Sequence, residues 1–212
     1  MVNGDKIHTC CFFGHRKIEE TPELESKLIE VVEDLIVNRD VTSFLFGSKS
    51  EFDSYCKKIV DRLKEKHSHI KRVYVRSSFQ HIPDWYEDSL LEHYEETYFP
   101  EKIENSGKAS YVERNQEMID HSQYCVVYYD ENYLPPRRKN SRRDLTDYQP
   151  KSGTAVAYAY AMKKKKEICK IIDKLVENAI SKYGFENNKT IIIAENAENI
   201  KEKFLDNLIK IY

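Results

Sequence analysis

Short, β-rich apolar runs that stop at a glycine and hand over to longer amphipathic runs limit this chain's fold more than any other feature. Ile7 to Phe13 (IHTCCFF) ends at Gly14, and Val41 to Phe46 (VTSFLF) ends at Gly47. Between them, Thr21-Pro22-Glu23-Leu24 has the form of a helix start, with Thr as cap, Pro in the first turn and acids beside it. Leu24, Leu28, Val31, Val32, Leu35 and Ile36 then recur at helical spacing. Phe52, Tyr55, Cys56, Ile59 and Leu63 form one face of a second helix over 51–66, and Lys71 to Arg76 (KRVYVR) reads as a third strand.

Residues 77–108 interrupt the alternation. They are aromatic and acidic, and read as an insertion or lid, helical in part. A helix over 109–122 then leads into a strand over 124–129 (YCVVYY). Residues 131–151, with three prolines and four arginines, read as a long mobile loop. Ser152-Gly153-Thr154 opens an alanine-rich helix, 168–172 is a further strand, and 173–212 a strand-helix extension. Strands alternating with helices predict an α/β fold: a Rossmann-like, doubly wound, mostly parallel sheet with helices on both faces. One domain spanning 1–212 accommodates all of it.

Such a sheet binds ligands beyond the carboxyl ends of its strands, where the strand order reverses. The junctions are therefore where chemistry is to be sought. Gly14-His15-Arg16 offers a turn with donors for phosphate or carboxylate, or simply a turn with surface charges. Gly47-Ser48-Lys49-Ser50-Glu51-Phe52-Asp53 offers an anion-friendly nest with acids for ribose hydroxyls, or a capped helix start. Glu113-Arg114-Asn115 opens a helix with a cation set against the dipole, which calls for a compensating anion. Ser152-Gly153-Thr154 presents amides and hydroxyls to a phosphate. There is no GxxxxGK[ST], GxGxxG, GxSxG or HExxH. Trp85, Tyr86, Tyr94 and Tyr98 fit either a small satellite core or a lid that stacks on a base.

The four junctions in this order resemble the SLOG superfamily, in particular its YpsA-like branch of small bacterial and phage proteins, over residues 7–172. The resemblance implies a Rossmann-like binder of nucleotides or nucleotide-derived ligands, related to the LOG phosphoribohydrolases. It implies a ligand site lined by Gly14, Arg16, Gly47, Ser48, Glu51, Ser152, Gly153 and Thr154. His15 adjoins that set, and Arg114 meets a phosphate or ribose with Glu113 and Asn115 orienting it. Ala157 stands where those hydrolases carry their catalytic glutamate, which favours binding over glycosidic cleavage. The leading expectation is a sensor or sequestering protein for an ADP-ribose-like signal in phage–bacterium defence. A nucleoside monophosphate hydrolase is the first alternative. A nucleic-acid-binding module is the second, since DNA-processing protein A belongs to the same superfamily.

Bulk properties narrow the partners. The net charge of −2 gives no global attraction for nucleic acid, which speaks against that partner. No apolar run reaches the roughly 18 residues that span a bilayer. Five cysteines without CxxC spacing argue for reduced thiols in a cytoplasmic protein, with no metal and no cofactor. Rossmann-like relatives often pair through helices, so a homodimer or higher homo-oligomer is expected.

Overall fold

The computed structural model describes residues 6–47, 50–130, 133 and 152–171. Among them, six strands form one sheet: β1 (Thr9–Gly14), β2 (Ser43–Phe46), β3 (Lys71–Val75), β4 (Glu96–Tyr98), β5 (Tyr124–Tyr128) and β6 (Glu167–Ile171). The helices are α1 (Pro22–Arg39), α2 (Glu51–Lys66), α3 (Asp84–Leu91), α4 (Lys108–Asp120) and α5 (Gly153–Lys163), with a short 3-10 turn at Lys6–His8. The strand order is β4-β3-β2-β1-β5-β6 and every pairing is parallel. The fold is thus the α/β Rossmann-like arrangement that the alternation of apolar runs predicts.

Strand side chains alternate between two cores, as the twofold period of a strand requires. Cys10, Phe12, Phe44, Phe46 and Val126 meet Leu28, Val32 and Leu35 of α1 and Phe52, Cys56, Ile59 and Val60 of α2. Phe12 stacks on Phe44 and Phe46 with ring centroids 5.9 and 5.0 Å apart, which adds about 0.5–1.5 kcal/mol per pair to the burial itself. On the other face Cys11, Phe13, Leu45, Val73, Cys125 and Val127 meet Met118 and Ile119 of α4 and Ala157 and Ala161 of α5. The alanines let α5 lie close to the sheet. Cys10, Cys11, Cys56 and Cys125 are buried free thiols.

Local signals place the helix starts. The side chains of Thr21, Ser50 and Ser152 accept hydrogen bonds from the amides of Leu24, Asp53 and Ala155, at 3.2, 3.1 and 3.0 Å. These caps satisfy amides that the helices themselves cannot. The stretch 77–108 holds α3 and also an edge strand, β4, which pairs Val73 with Glu96 and Val75 with Tyr98. Ion pairs fasten that edge: Lys71 to Glu96 at 2.7 Å and Arg72 to Glu95 at 2.6 Å. Tyr94 and Tyr98 pack against the two cores, whereas Trp85 is 72% exposed. The expected loop at 131–151, Tyr133 apart, and the extension at 173–212 lie outside the described residues.

Candidate functional site

The chain builds outward from β1 through β2 and β3 to β4, then returns to add β5 and β6 on the other side. The order therefore reverses between β1 and β5. The starts of α1, α2, α4 and α5 all lie at the carboxyl edge that contains this switch, because each follows a parallel strand.

The junction after β1 is anchored inside and open outside. A Cβ on Gly14 would sit 2.4 Å from the ring of Phe52, so α2 packs on the turn only because residue 14 is glycine. His15 is 2% exposed. Its Nε2 accepts a hydrogen bond from the Asp130 amide at 2.9 Å, tying the end of β1 to the end of β5. That bond puts the proton on Nδ1, which is buried without a hydrogen-bond partner among the described residues. Tyr133 stacks on the ring at 4.1 Å. Burial pulls the imidazole pKa below its usual value, while the Asp130 amide and carboxylate oppose that shift. Arg16 is exposed and its guanidinium has no ion-pair partner among the described residues. Its carbonyl accepts from the Glu51 amide at 3.0 Å, which seats this turn on the start of α2.

The junction after β2 is closed on itself. Arg114 reaches across from α4, only 3% exposed, and donates through Nη1 to the Gly47 carbonyl. Its Nε and Nη2 donate to Asn115 Oδ1 at 3.3 and 2.9 Å. The guanidinium also lies 5.5 Å from the centre of the Tyr111 ring. A Cβ on Gly47 would stand 2.9 Å from Arg114 Cδ and 2.7 Å from the Val75 carbonyl. Burial lowers the pKa of Arg114, and the buried Asp53 carboxylate opposes that shift, as Tyr74 and Tyr111 also do. Arg114 is thus a positioning residue that locks α4 to β2.

The remaining expected site residues divide. Asn115 Oδ1 accepts from Arg114. Glu113 accepts from the Asn105 side chain and from the Asn105 amide at 3.1 Å, bonds that lower its pKa in that order. Glu51 accepts from Lys17 and from the Ile18 amide at 3.2 Å, and these bonds lower its pKa in the same order. Both carboxylates latch loops. Ser48 lies outside the described residues. Ser152 and Thr154 are buried at the start of α5, and Gly153 is exposed, with nothing within 4 Å of where its Cβ would be. Ala157 is 2% exposed in the core under α5, with no carboxylate to offer.

Sequence reasoning missed Asp53 as a countercharge, and missed Tyr74, Tyr111 and the Tyr128–Asp130 end of β5. Tyr111 had a signal, because it stands three residues before Arg114 on one helix. The His15–Asp130 bond had none, since its donor is a backbone amide. No group of three or more His, Cys, Asp or Glu among the described residues could hold a metal ion. No helix among them is long and apolar enough to cross a membrane.

No family model matches the chain. It is similar to the uncharacterized SPbeta prophage-derived protein YoqJ of Bacillus subtilis (strain 168), 27% identical over 146 residues, covering 61% of this chain and 82% of the relative. Among solved structures it resembles DNA processing protein A (DprA) from Helicobacter pylori, with a TM-score of 0.52, 16% identity, and coverage of 98% of this chain and 82% of that one. It also resembles DprA from Streptococcus pneumoniae, with a TM-score of 0.51, 11% identity and coverage of 82% of this chain. The match spans only 54% of the Streptococcus protein. At 11 and 16% identity these structural likenesses show the Rossmann-like fold, and they do not reach the YpsA-like branch. They also correct one expectation. The Helicobacter structure is described as showing a single-stranded DNA binding mode, so a near-zero net charge is no ground for setting nucleic acid aside. Net charge sums the whole surface and is blind to a local edge.

Proposed function

We propose that the carboxyl edge of the sheet binds single-stranded nucleic acid through its sugar-phosphate backbone. The observation that carries this reading is the exposed guanidinium of Arg16, without an ion-pair partner among the described residues, at the switch between β1 and β5. It stands on the same edge as the first-turn amides of α2 and α5, groups that favour anionic oxygens. Arg114 gives this edge its shape without leaving it, and Tyr111, 41% exposed beside it, offers a base a ring to stack on. The likeness to DprA supports the reading at the level of the fold.

Anisotropy of a labelled oligothymidylate tests it. Binding weakens as salt rises, and Arg16→Ala lowers the magnitude of the salt slope by about 0.7, as the loss of one single-strand phosphate contact requires. Salt-insensitive binding, or none, overturns the proposal.

A second reading keeps the YpsA-like resemblance: a compact nucleotide-derived ligand, sensed or sequestered in phage–bacterium signalling. The Nδ1 donor of buried His15, without a hydrogen-bond partner among the described residues, favours it, because a single buried donor suits one acceptor of a compact ligand better than a polymer backbone. The prophage origin of the YoqJ relative is in keeping with it. Calorimetric titration with ADP-ribose and AMP separates the two. Heat with these ligands and no anisotropy change with the oligonucleotide selects the second.

A further inference from the structure

α3 is the one helix among the described residues for which every residue stays out of the core. Trp85 is 72% exposed, Leu91 45% and Tyr86 37%. The turn that leads into the helix adds Phe79, 76% exposed with φ of 60°, a left-handed conformation that a bulky residue rarely adopts. Arg76 Nη1 holds that turn by donating to the Phe79 carbonyl at 3.1 Å and to the Gln80 carbonyl at 3.4 Å. A strained turn, clamped so that it presents an aromatic ring to solvent, is arranged for contact.

The charges around these rings say what kind of contact. Asp84, Glu87, Asp88 and Glu92 have no ion-pair or hydrogen-bonding side-chain partner among the described residues. Their neighbours differ: Glu95 pairs with Arg72 and Lys64, and Glu96 with Lys71. Trp85, Asp88 and Glu92 recur at i, i+3 and i+7, so ring and carboxylates share one side of the helix. Carboxylates beside exposed aromatic faces suit guanidinium groups, which take both a planar salt bridge and a ring to stack on. Phosphates would be repelled by the same four charges.

We propose that α3 and the Phe79 turn form a docking face for an arginine-rich polypeptide segment of a partner protein. Eight helical residues are about 12 Å long, the reach of about four residues of an extended peptide. α3 also follows a parallel strand, so this face adjoins the proposed nucleic-acid edge. It offers carboxylates and rings where that edge offers a cation, and neither reading depends on the other.

The chain has a single tryptophan, so its emission reports on this face alone. The full chain is titrated with a hexa-arginine peptide, a hexalysine peptide and an oligothymidylate. Hexa-arginine changes Trp85 emission saturably and binds about threefold tighter than hexalysine, the margin expected of stacking on the ring. Asp88→Asn with Glu92→Gln, both on the surface, weakens it about fivefold and leaves the thermal midpoint in place. Trp85→Ala, followed by anisotropy of labelled peptide, weakens hexa-arginine and leaves hexalysine nearly unchanged. Equal affinity for the two peptides overturns the proposal, as does an unresponsive tryptophan. A Trp85 response to the oligothymidylate that hexa-arginine does not elicit overturns it too, and assigns the face to nucleic acid.

Discussion

Two arginines at one edge of the sheet have opposite situations. At the junction after β2, Arg114 is buried, bonded to Gly47 and Asn115 and faced by Asp53. At the junction after β1, Arg16 is exposed and has no ion-pair partner among the described residues, though its backbone is fixed to α2. The first cation has a carboxylate near it in the interior, and the second has none among the described residues. One arginine therefore sustains the fold, and the other is available to a ligand.

Removing both cations breaks or sharpens that contrast most directly. Arg114→Met leaves the Gly47 carbonyl and Asn115 Oδ1 without their charged donor and takes a cation away from the buried Asp53 carboxylate, which together costs about 3–5 kcal/mol. Asp53→Asn in the same chain restores part of the loss, because the carboxylate that the cation favours is gone. Arg16→Ala changes stability by less than about 0.5 kcal/mol. Urea unfolding of the four proteins measures all of this. A loss for Arg114→Met as small as that for Arg16→Ala would show that the buried guanidinium is not what holds α4 to the end of β2.

The glycines sharpen the contrast at smaller amplitude. A methyl group at position 47 meets the Val75 carbonyl, which is backbone and cannot step aside. Gly47→Ala therefore destabilises by about 1–3 kcal/mol. At the start of α5 a methyl group on Gly153 meets nothing within 4 Å. Gly153→Ala stabilises by about 0.4–1 kcal/mol, through the smaller freedom of the unfolded chain. Paired thermal melts decide the matter, and a shift of the same sign in both variants would sink the distinction between a closed junction and an open one.

What the sequence discloses follows the distance over which each interaction acts. The caps at Thr21, Ser50 and Ser152 join groups three residues apart, so the residue types announce them. β1, β2 and β5 are legible because each buries a nearly unbroken apolar run, and β3 because Val73 and Val75 are buried at alternate positions. The edge strand Glu96–Tyr98 is three residues long with no apolar run, and what fastens it, the ion pairs of Lys71 and Arg72 and the packing of Tyr98, comes from distant parts of the chain. Arg114 is visible as a cation set against a helix dipole, but its acceptor lies 67 residues earlier. Glu51 and Glu113 look like ligand acids, and both are spent on amides of nearby loops. A backbone amide carries no residue-type signal, so the difference between a free carboxylate and a latched one cannot be read from the chain.

The smallest expected effect concerns His15, the buried half of the open junction. Its folded pKa lies below the ordinary 6.5, chiefly because burial disfavours the imidazolium. The unfolded chain therefore binds the proton more readily than the folded one. The stability that the neutral ring contributes is complete above the unfolded pKa. It is lost as the pH falls below 6.5 toward the folded value, beneath which both states are protonated and the loss stops growing. Protonation has a second, local consequence. Nε2 accepts from the Asp130 amide only while it is unprotonated, so acid severs the tie between the ends of β1 and β5. The chain has seven histidines, so unfolding curves alone cannot isolate one of them. Imidazole NMR titration with His15→Asn as the assignment control does so. The His15 midpoint falls below 6.5 and the Asp130 amide resonance moves with it. A midpoint at or above the ordinary value would mean that water already reaches the ring, and that the junction after β1 is open to its base.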